Sequence, residues 1–189
     1  MTIHLCSERE DEILWETMEI LKGGGVAIVP TDTVYGLICD GMNEKAKEML
    51  YEIKERPKDK PLIGFVDTIE KVKKFAEVTA EQERILKQNW PGAKTYILKA
   101  TKDVYLITAT TGKIAFRIPA HNFLLKLLKN FDIVASTSAN LSGEISPSSI
   151  EEIPEILKNK VDVIIDGGKV SGKVSEIWDI TGKSYIKLR

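Results

Sequence analysis

The sequence predicts an α/β fold: a twisted, mixed sheet with flanking helices, in one domain spanning residues 1–189. Three observations predict it. Short apolar runs recur along the chain, as at Val26 to Val29, Leu62 to Val66, Ile114 to Ile118 and Val161 to Ile165. Between them lie segments whose apolar residues repeat at helical spacing. No repeat, low-complexity tract or linker interrupts the alternation, and 189 residues at 43% hydrophobic suffice for one sizeable core.

The elements follow in order. From Glu10 to Lys22, Leu14, Met18 and Leu21 recur as one helical face, and Gly23-Gly24-Gly25 stops the helix before the strand Val26 to Val29. The polar stretch Pro30 to Leu37 then reads as a ligand-facing loop. Asn43 caps a helix through Lys54, with Ala46, Met49, Leu50 and Ile53 as its apolar stripe and Pro57 beyond its end. Leu62 to Val66 is a strand. Thr79 and Gln82 form a capping box for a helix to Asn89, which Trp90-Pro91-Gly92 ends. Thr95 to Lys99 and Ile114 to Ile118 are strands, His121 to Asn130 is a helix, and Asp132 to Ser136 is a strand feeding a Ser-Thr-Ser-Ala-Asn loop. Ser149 and Glu152 mark another capping box, Val161 to Ile165 a strand, and the segment from Lys173 two more strands.

Composition excludes several classes. Lys plus Arg number 27 against 28 Asp plus Glu, so bulk charge does not announce nucleic acid, and any basic face must be local. Cys6 and Cys39 lack paired spacing and His4 and His121 are the only histidines, so neither a zinc set nor a disulfide is expected, and no resident metal site. No run approaches the ~18 apolar residues of a membrane span, and the first ten residues have no signal-type core. The expectation is a cytoplasmic protein with no membrane association.

The residues that carry chemistry suit phosphate. Lys54 and Arg56 are two cations at a helix exit, and Lys60 converges with them if the following loop folds back. Ser136 and Ser138, with Asn140 and Gly143, supply hydroxyls, an amide and a flexible turn for phosphate or ribose. The common phosphate loops are absent. Gly182-Lys183-Ser184 lacks the first Walker glycine, since Ile177 stands there, and Gly23-Gly24-Gly25 precedes a strand instead of following one. Ser138 is in no nucleophile elbow, and His121 reads as a helix-start residue. Such a set suits nucleotidyl transfer, in which the substrate brings the nucleophile and the protein brings position and charge. Arg117, in a strand beside Pro119, is a rigid fork for a carboxylate.

Pro30-Thr31-Asp32-Thr33-Val34-Tyr35-Gly36-Leu37, Lys54-x-Arg56-Pro57, Pro61-Leu62, Trp90-Pro91-Gly92, Arg117-x-Pro119 and Ser138-Ala139-Asn140 together resemble the YrdC family of threonylcarbamoyl-AMP synthases. The resemblance runs from Gly24 to Arg189 and is to the short, single-domain form. It implies a twisted sheet with a concave basic groove, and synthesis of L-threonylcarbamoyl-AMP and pyrophosphate from L-threonine, CO₂ or bicarbonate, and ATP, with Mg²⁺ expected beside the nucleotide. A downstream transferase would pass the threonylcarbamoyl group to adenosine 37 of tRNA, and some members bind double-stranded RNA. By the same resemblance Arg56, Lys60, Lys113, Ser136, Ser138, Ser146 and Arg189 lie near ATP. Thr33, Arg117, Ser138 and Ser175 lie near threonine, and Lys54 and Asn140 complete the two signature motifs, giving Lys54, Arg56, Ser138 and Asn140 as catalytic candidates.

The chain departs from the family in places. Phe65 stands where many members carry a histidine that contacts threonine, Lys60 where asparagine is frequent, and the neighbours of Ser175 differ. Two other readings are open: a non-catalytic module binding tRNA or double-stranded RNA, and a carbamoyl-adenylate-forming relative of the hydrogenase maturation proteins. Thr33, Arg117 and Ser175 favour the synthase, because a pure RNA binder has no use for them.

Overall fold

The computed structural model describes residues 1–102 and 111–189. Along the chain run β1 (Thr2–His4), α1 (Glu10–Lys22), β2 (Val26–Val29), β3 (Gly36–Asp40), α2 (Glu44–Lys54), β4 (Ile63–Phe65), α3 (Ile69–Lys73) and α4 (Ala80–Asn89). They are followed by β5 (Lys94–Lys99), β6 (Lys113–Arg117), α5 (Asn122–Leu128), β7 (Val134–Ser138), α6 (Glu155–Lys158), β8 (Val163–Asp166), β9 (Glu176–Asp179) and β10 (Ile186–Lys187).

Local chemistry sets the helix ends. Gly23 N–H bonds Glu19 O at the end of α1, and Gly24 follows at φ +90°, a conformation that favours glycine. Asn43 Oδ1 accepts from Ala46 N at the start of α2, and the Thr79–Gln82 capping box opens α4. The box expected at Ser149 does not form. Glu152 instead accepts from the backbone N and Oγ of Ser148, and only a short 3₁₀ turn, Ile150–Glu152, results.

The strands join one ten-stranded sheet in the order β1-β8-β2-β3-β7-β4-β6-β5-β9-β10. Parallel and antiparallel neighbours mix, as with β4 parallel to β6 and antiparallel to β7. Strand residues alternate between two cores. On one face α1 and α5 bring Ile13, Leu21, Phe123, Leu124 and Leu127 onto Ala27, Val29, Ile38 and Val163. On the other, α2 and α4 bring Leu50, Ile53 and Leu86 onto Val26, Ile28, Leu37 and Ala135. Burial on both faces makes β2 a continuous apolar run rather than an alternating one.

Two strands differ from the sequence reading. β3 begins at Gly36, inside the stretch expected to be loop, because Gly36 to Asp40 is held between β2 and β7. β7 extends to Ser138, so Ser136 and Ser138 are strand residues facing one side, paired with Ile38 and Gly36, and the loop begins after them.

Candidate active site

Where α1 and α5 do not reach, the same face of the sheet forms the floor of a cavity of about 370 Å³. The register explains its lining. Ser136 lies opposite Ile63, Ile63 opposite Ala115, and Ala115 opposite Ile97, making one row across β7, β4, β6 and β5. Phe65 and Arg117 form the next row, and Ser138 lies beside Gly36. The walls come from Thr31 to Val34 after β2, Arg56 to Leu62 after α2, Ser146, and the chain from Val174 to Arg189. This size is ordinary for a small-molecule site. Among the described lining residues there are four cations, Arg56, Lys60, Arg117 and Arg189, and no acid.

The turn after β2 is built by its threonines. Thr31 Oγ1 accepts from Thr33 N and Val34 N and donates to Val34 O at 2.7 Å, which fixes the turn and presents Thr33 to the cavity. Arg117, 3% exposed, is oriented by three acceptors: Gly92 O for Nε at 3.0 Å, Thr33 Oγ1 for Nη1 at 2.9 Å and Asp32 Oδ1 for Nη2 at 2.5 Å. Its guanidinium lies 5.8 Å from the centre of the Phe65 ring. Burial lowers the Arg117 pKa, and Asp32 pulls in the opposite direction. One N–H on each terminal nitrogen of the fork is left for a ligand, the arrangement that meets a carboxylate.

Ser175 sits between two assigned roles. Its Oγ is 3.0 Å from Thr95 Oγ1, a fully buried hydroxyl that sequence reasoning passed over. Arg189 Nε donates to Ser175 O at 3.0 Å, and Arg189 Nη2 reaches Ser175 Oγ at 3.4 Å. Arg189 is thereby pinned rather than frayed, and Ile177 N donates to its carbonyl. Burial, then the charge of Arg117, lowers the Arg189 pKa, so two guanidiniums bear on one space.

Lys54 is not a solvent-facing cation. It is 2% exposed, and its Nζ donates to Ser138 O at 2.6 Å, Asn140 Oδ1 at 2.7 Å and Asn140 O at 2.9 Å. Asn140 Oδ1 also accepts from Ser138 Oγ at 2.5 Å, and Asn140 Nδ2 donates to Glu144 O at 2.6 Å. Lys54 and Asn140 thus stand behind Ser138 and outside the cavity lining, where they shape the end of β7. Desolvation first, and Arg56 second, push the Lys54 pKa down to about 7.

Arg56 folds the loop after α2 by donating to Lys60 O at 3.1 Å and Pro61 O at 2.9 Å, while Tyr51 OH donates to Lys60 O at 2.8 Å. This draws Arg56 and Lys60 to one wall. Lys113 shares the face of Ala115 and Arg117 but lies one pleat beyond the cavity, paired with Asp179 at 2.8 Å. The structure therefore brings together Thr33, Arg56, Lys60, Arg117, Ser136, Ser138, Ser146, Ser175 and Arg189, and leaves Lys54, Lys113 and Asn140 outside the lining. His121 caps α5 without a side-chain cap bond, and burial lowers its pKa. Among the described residues no group of three or more His, Cys, Asp or Glu is placed to hold a metal, and the cavity lining has no carboxylate.

The chain is thus an α/β protein whose mixed sheet carries a cavity with four cations and no acid among its described lining residues, a lining suited in charge to small anions. The family described as telomere recombination, Sua5_yciO_yrdC, matches residues 19–189, and the chain belongs to this YrdC/Sua5 family. It is similar to the threonylcarbamoyl-AMP synthase of Pyrococcus abyssi, 36% identical over 173 residues, covering 89% of this chain and 51% of that protein. A putative threonylcarbamoyl-AMP synthase of Methanocaldococcus jannaschii is 35% identical, covering 96% of this chain and 86% of the relative. The solved structure of P. abyssi Sua5 complexed with L-threonine superposes with a TM-score of 0.90 at 33% identity, covering 100% of this chain and 56% of that one. E. coli YciO gives 0.89 at 29% identity, covering 100% of this chain and 93% of that one. The chain spans about half the length of the P. abyssi and Bacillus subtilis relatives it matches, 51% and 47% respectively.

Proposed function

We propose that the protein is a nucleotidyltransferase, an L-threonylcarbamoyladenylate synthase. The observation that carries the reading is that one cavity gathers two sets of groups, Arg56 and Lys60 from the loop after α2, and Thr33, Arg117 and Ser175 from the turn after β2, from β6 and from the segment before β9, with Ser136 and Ser138 of β7 on its floor. The names of the relatives, and the complex of P. abyssi Sua5 with L-threonine, support it.

In this reading the threonine carboxylate lies on the Arg117 fork, with its hydroxyl near Thr33 or Ser175. The threonine ammonium gives one proton to solvent, and the free amine attacks CO₂ and loses a second, giving a carbamate. A carbamate oxygen then attacks the α-phosphorus of ATP, the bond from that phosphorus to the bridging oxygen breaks, and pyrophosphate leaves. Arg56, Lys60 and Arg189 offset the phosphate charge that is redistributed in this step. Ser138 Oγ donates to Asn140 Oδ1 and faces the phosphate region from the sheet floor, so it hydrogen-bonds a phosphate oxygen once its hydroxyl turns from Asn140 to the ligand. Lys54 and Asn140 act through Ser138 and are positioning residues. Mg²⁺, where required, arrives with the nucleotide, because the wall supplies no carboxylates. A transferase would then pass the threonylcarbamoyl group to adenosine 37 of tRNA, and these steps would take place in the cytoplasm.

The RNA-module reading is weaker on burial grounds. Thr33 and Arg117 are 2% and 3% exposed, out of reach of a duplex backbone. Incubation with ATP, L-threonine and bicarbonate is expected to give pyrophosphate and the adenylate by mass spectrometry, with each substrate required. Pyrophosphate release that persists without threonine would reject the reading.

A further inference from the structure

Of the four cations lining the cavity, Arg117 alone forms an ion pair among the described residues. Arg56 donates to the neutral carbonyls of Lys60 and Pro61, and Arg189 to the carbonyl and hydroxyl of Ser175. Lys60 has no ion-pair partner among the described residues. Asp32, the partner of Arg117, is absent from the cavity lining and accepts from Nη2 from outside it.

Two consequences follow from that placement. Charge is the first: an Arg⁺–Asp⁻ pair is net neutral, so a dianion seated on the fork meets an uncompensated carboxylate close behind it. A monocarboxylate brings a single negative charge to the fork and meets a smaller penalty. Geometry is the second. With Gly92 O, Thr33 Oγ1 and Asp32 Oδ1 each engaging one N–H, two donors remain on the guanidinium, enough for the two oxygens of one carboxylate.

We propose that Asp32 is the specificity-determining residue of the amino-acid wall, a carboxylate placed behind Arg117 so that the fork accepts a zwitterionic monocarboxylate and refuses phosphate. The three unpaired cations draw the polyphosphate, and the paired one does not. Each substrate is thereby directed to its own part of a cavity whose charged described lining residues are all cations. The inference rests on the assignment of Arg117 to threonine.

The test uses inorganic phosphate as the probe against L-threonine and an ATP analogue in calorimetric competition, without turnover. In the unaltered protein phosphate is expected to displace the analogue and not threonine. In Asp32→Asn, which keeps the shape and removes the charge, phosphate should displace threonine as well. One additional phosphate should bind, and threonine affinity should fall about tenfold while analogue affinity stays within about twofold. Asp32→Glu keeps the charge and should keep the unaltered pattern. A folded Asp32→Asn with the unaltered phosphate pattern overturns the proposal, even if threonine binding is weakened, since a merely structural role would do that. If Asp32→Asn does not fold, the unaltered protein still decides, because phosphate displacing threonine there overturns it. Failure of the functional reading looks different: threonine does not bind to the unaltered protein at all, while the count of bound phosphates still differs between it and Asp32→Asn.

Discussion

Lys54 Nζ donates to Asn140 Oδ1 at 2.7 Å, joining the last residue of α2 to the loop after β7 across 86 positions of sequence. The two signature motifs are therefore one hydrogen-bonded unit. Three oxygens within 2.9 Å match the three N–H bonds of an ammonium.

Removing Lys54 should cost stability as well as turnover. Lys54→Ala strands Asn140 Oδ1 and two carbonyls with fewer donors and opens a cavity, so a loss of about 2–4 kcal/mol is expected in denaturant unfolding. A cation at a helix exit is expendable for folding only where it faces solvent, and Lys54 is 2% exposed. The sign of the pH effect follows from the direction of the shift. Lys54 titrates near about 7 in the folded state against an ordinary value of 10.5, so the unfolded chain binds more protons between those limits. Its contribution makes stability rise with pH across that window, by at most about 1.4 kcal/mol per pH unit. Unfolding curves of Lys54→Met should lack that rise. A rise of equal size in the variant would show that other groups cause it.

Phe65 is 3% exposed, packs in the core beneath α1 and α5, and lies under Arg117. Phe65→His is expected to lower the Michaelis constant for threonine, by adding a polar contact on the threonine side of the cavity. It should also lower stability by about 1–3 kcal/mol, because an imidazole in an apolar setting beside a cation is hard to satisfy. Steady-state kinetics and thermal melts check the two halves separately. A well-folded, inactive Phe65→His would show that the ring holds Arg117 in place and that no histidine can do so.

The sequence made the capped helices and continuous apolar strands legible because their signals are local. Asn43, the Thr79–Gln82 box and Gly23-Gly24 each act within a few residues of themselves. β1 was not foreseen, since three residues at a sheet edge carry no periodicity, and α3 is only five residues long. β3 was hidden because it is buried on both faces and follows a polar turn, so it shows no alternation. At Ser149 the box pattern was present, but Glu152 bonded the preceding serine. In the site, residue types and their gathering were legible, but orientation was not. That Lys54 points inward depends on acceptors contributed by β7 and the loop that follows it, and Asp32 reads as a turn former until Arg117 is seen against it. Thr95 gave no signal, because a threonine in a strand is ordinary.

Arg189 tests whether the two walls communicate. The family resemblance puts it near ATP, where its loss should barely change threonine binding. Its bonds to Ser175 O and Oγ change that expectation, because Ser175 lies on the threonine wall. Arg189→Ala keeps the backbone carbonyl that accepts from Ile177 N and removes only the guanidinium. ATP binding should weaken by about 1–2 kcal/mol, the range for a hydrogen bond to a charged group, and threonine binding by a smaller amount of the same sign as Ser175 Oγ loses a partner. The bond to Ser175 Oγ, at 3.4 Å, is long, which is why the second effect is the smaller. Thr95→Val isolates that effect, since it removes a partner of Ser175 Oγ and leaves Arg189 in place. It should weaken threonine and spare ATP. Calorimetric titration of both ligands into both variants checks this, and unchanged ATP affinity in Arg189→Ala would remove Arg189 from the nucleotide wall and leave it a strut for Ser175.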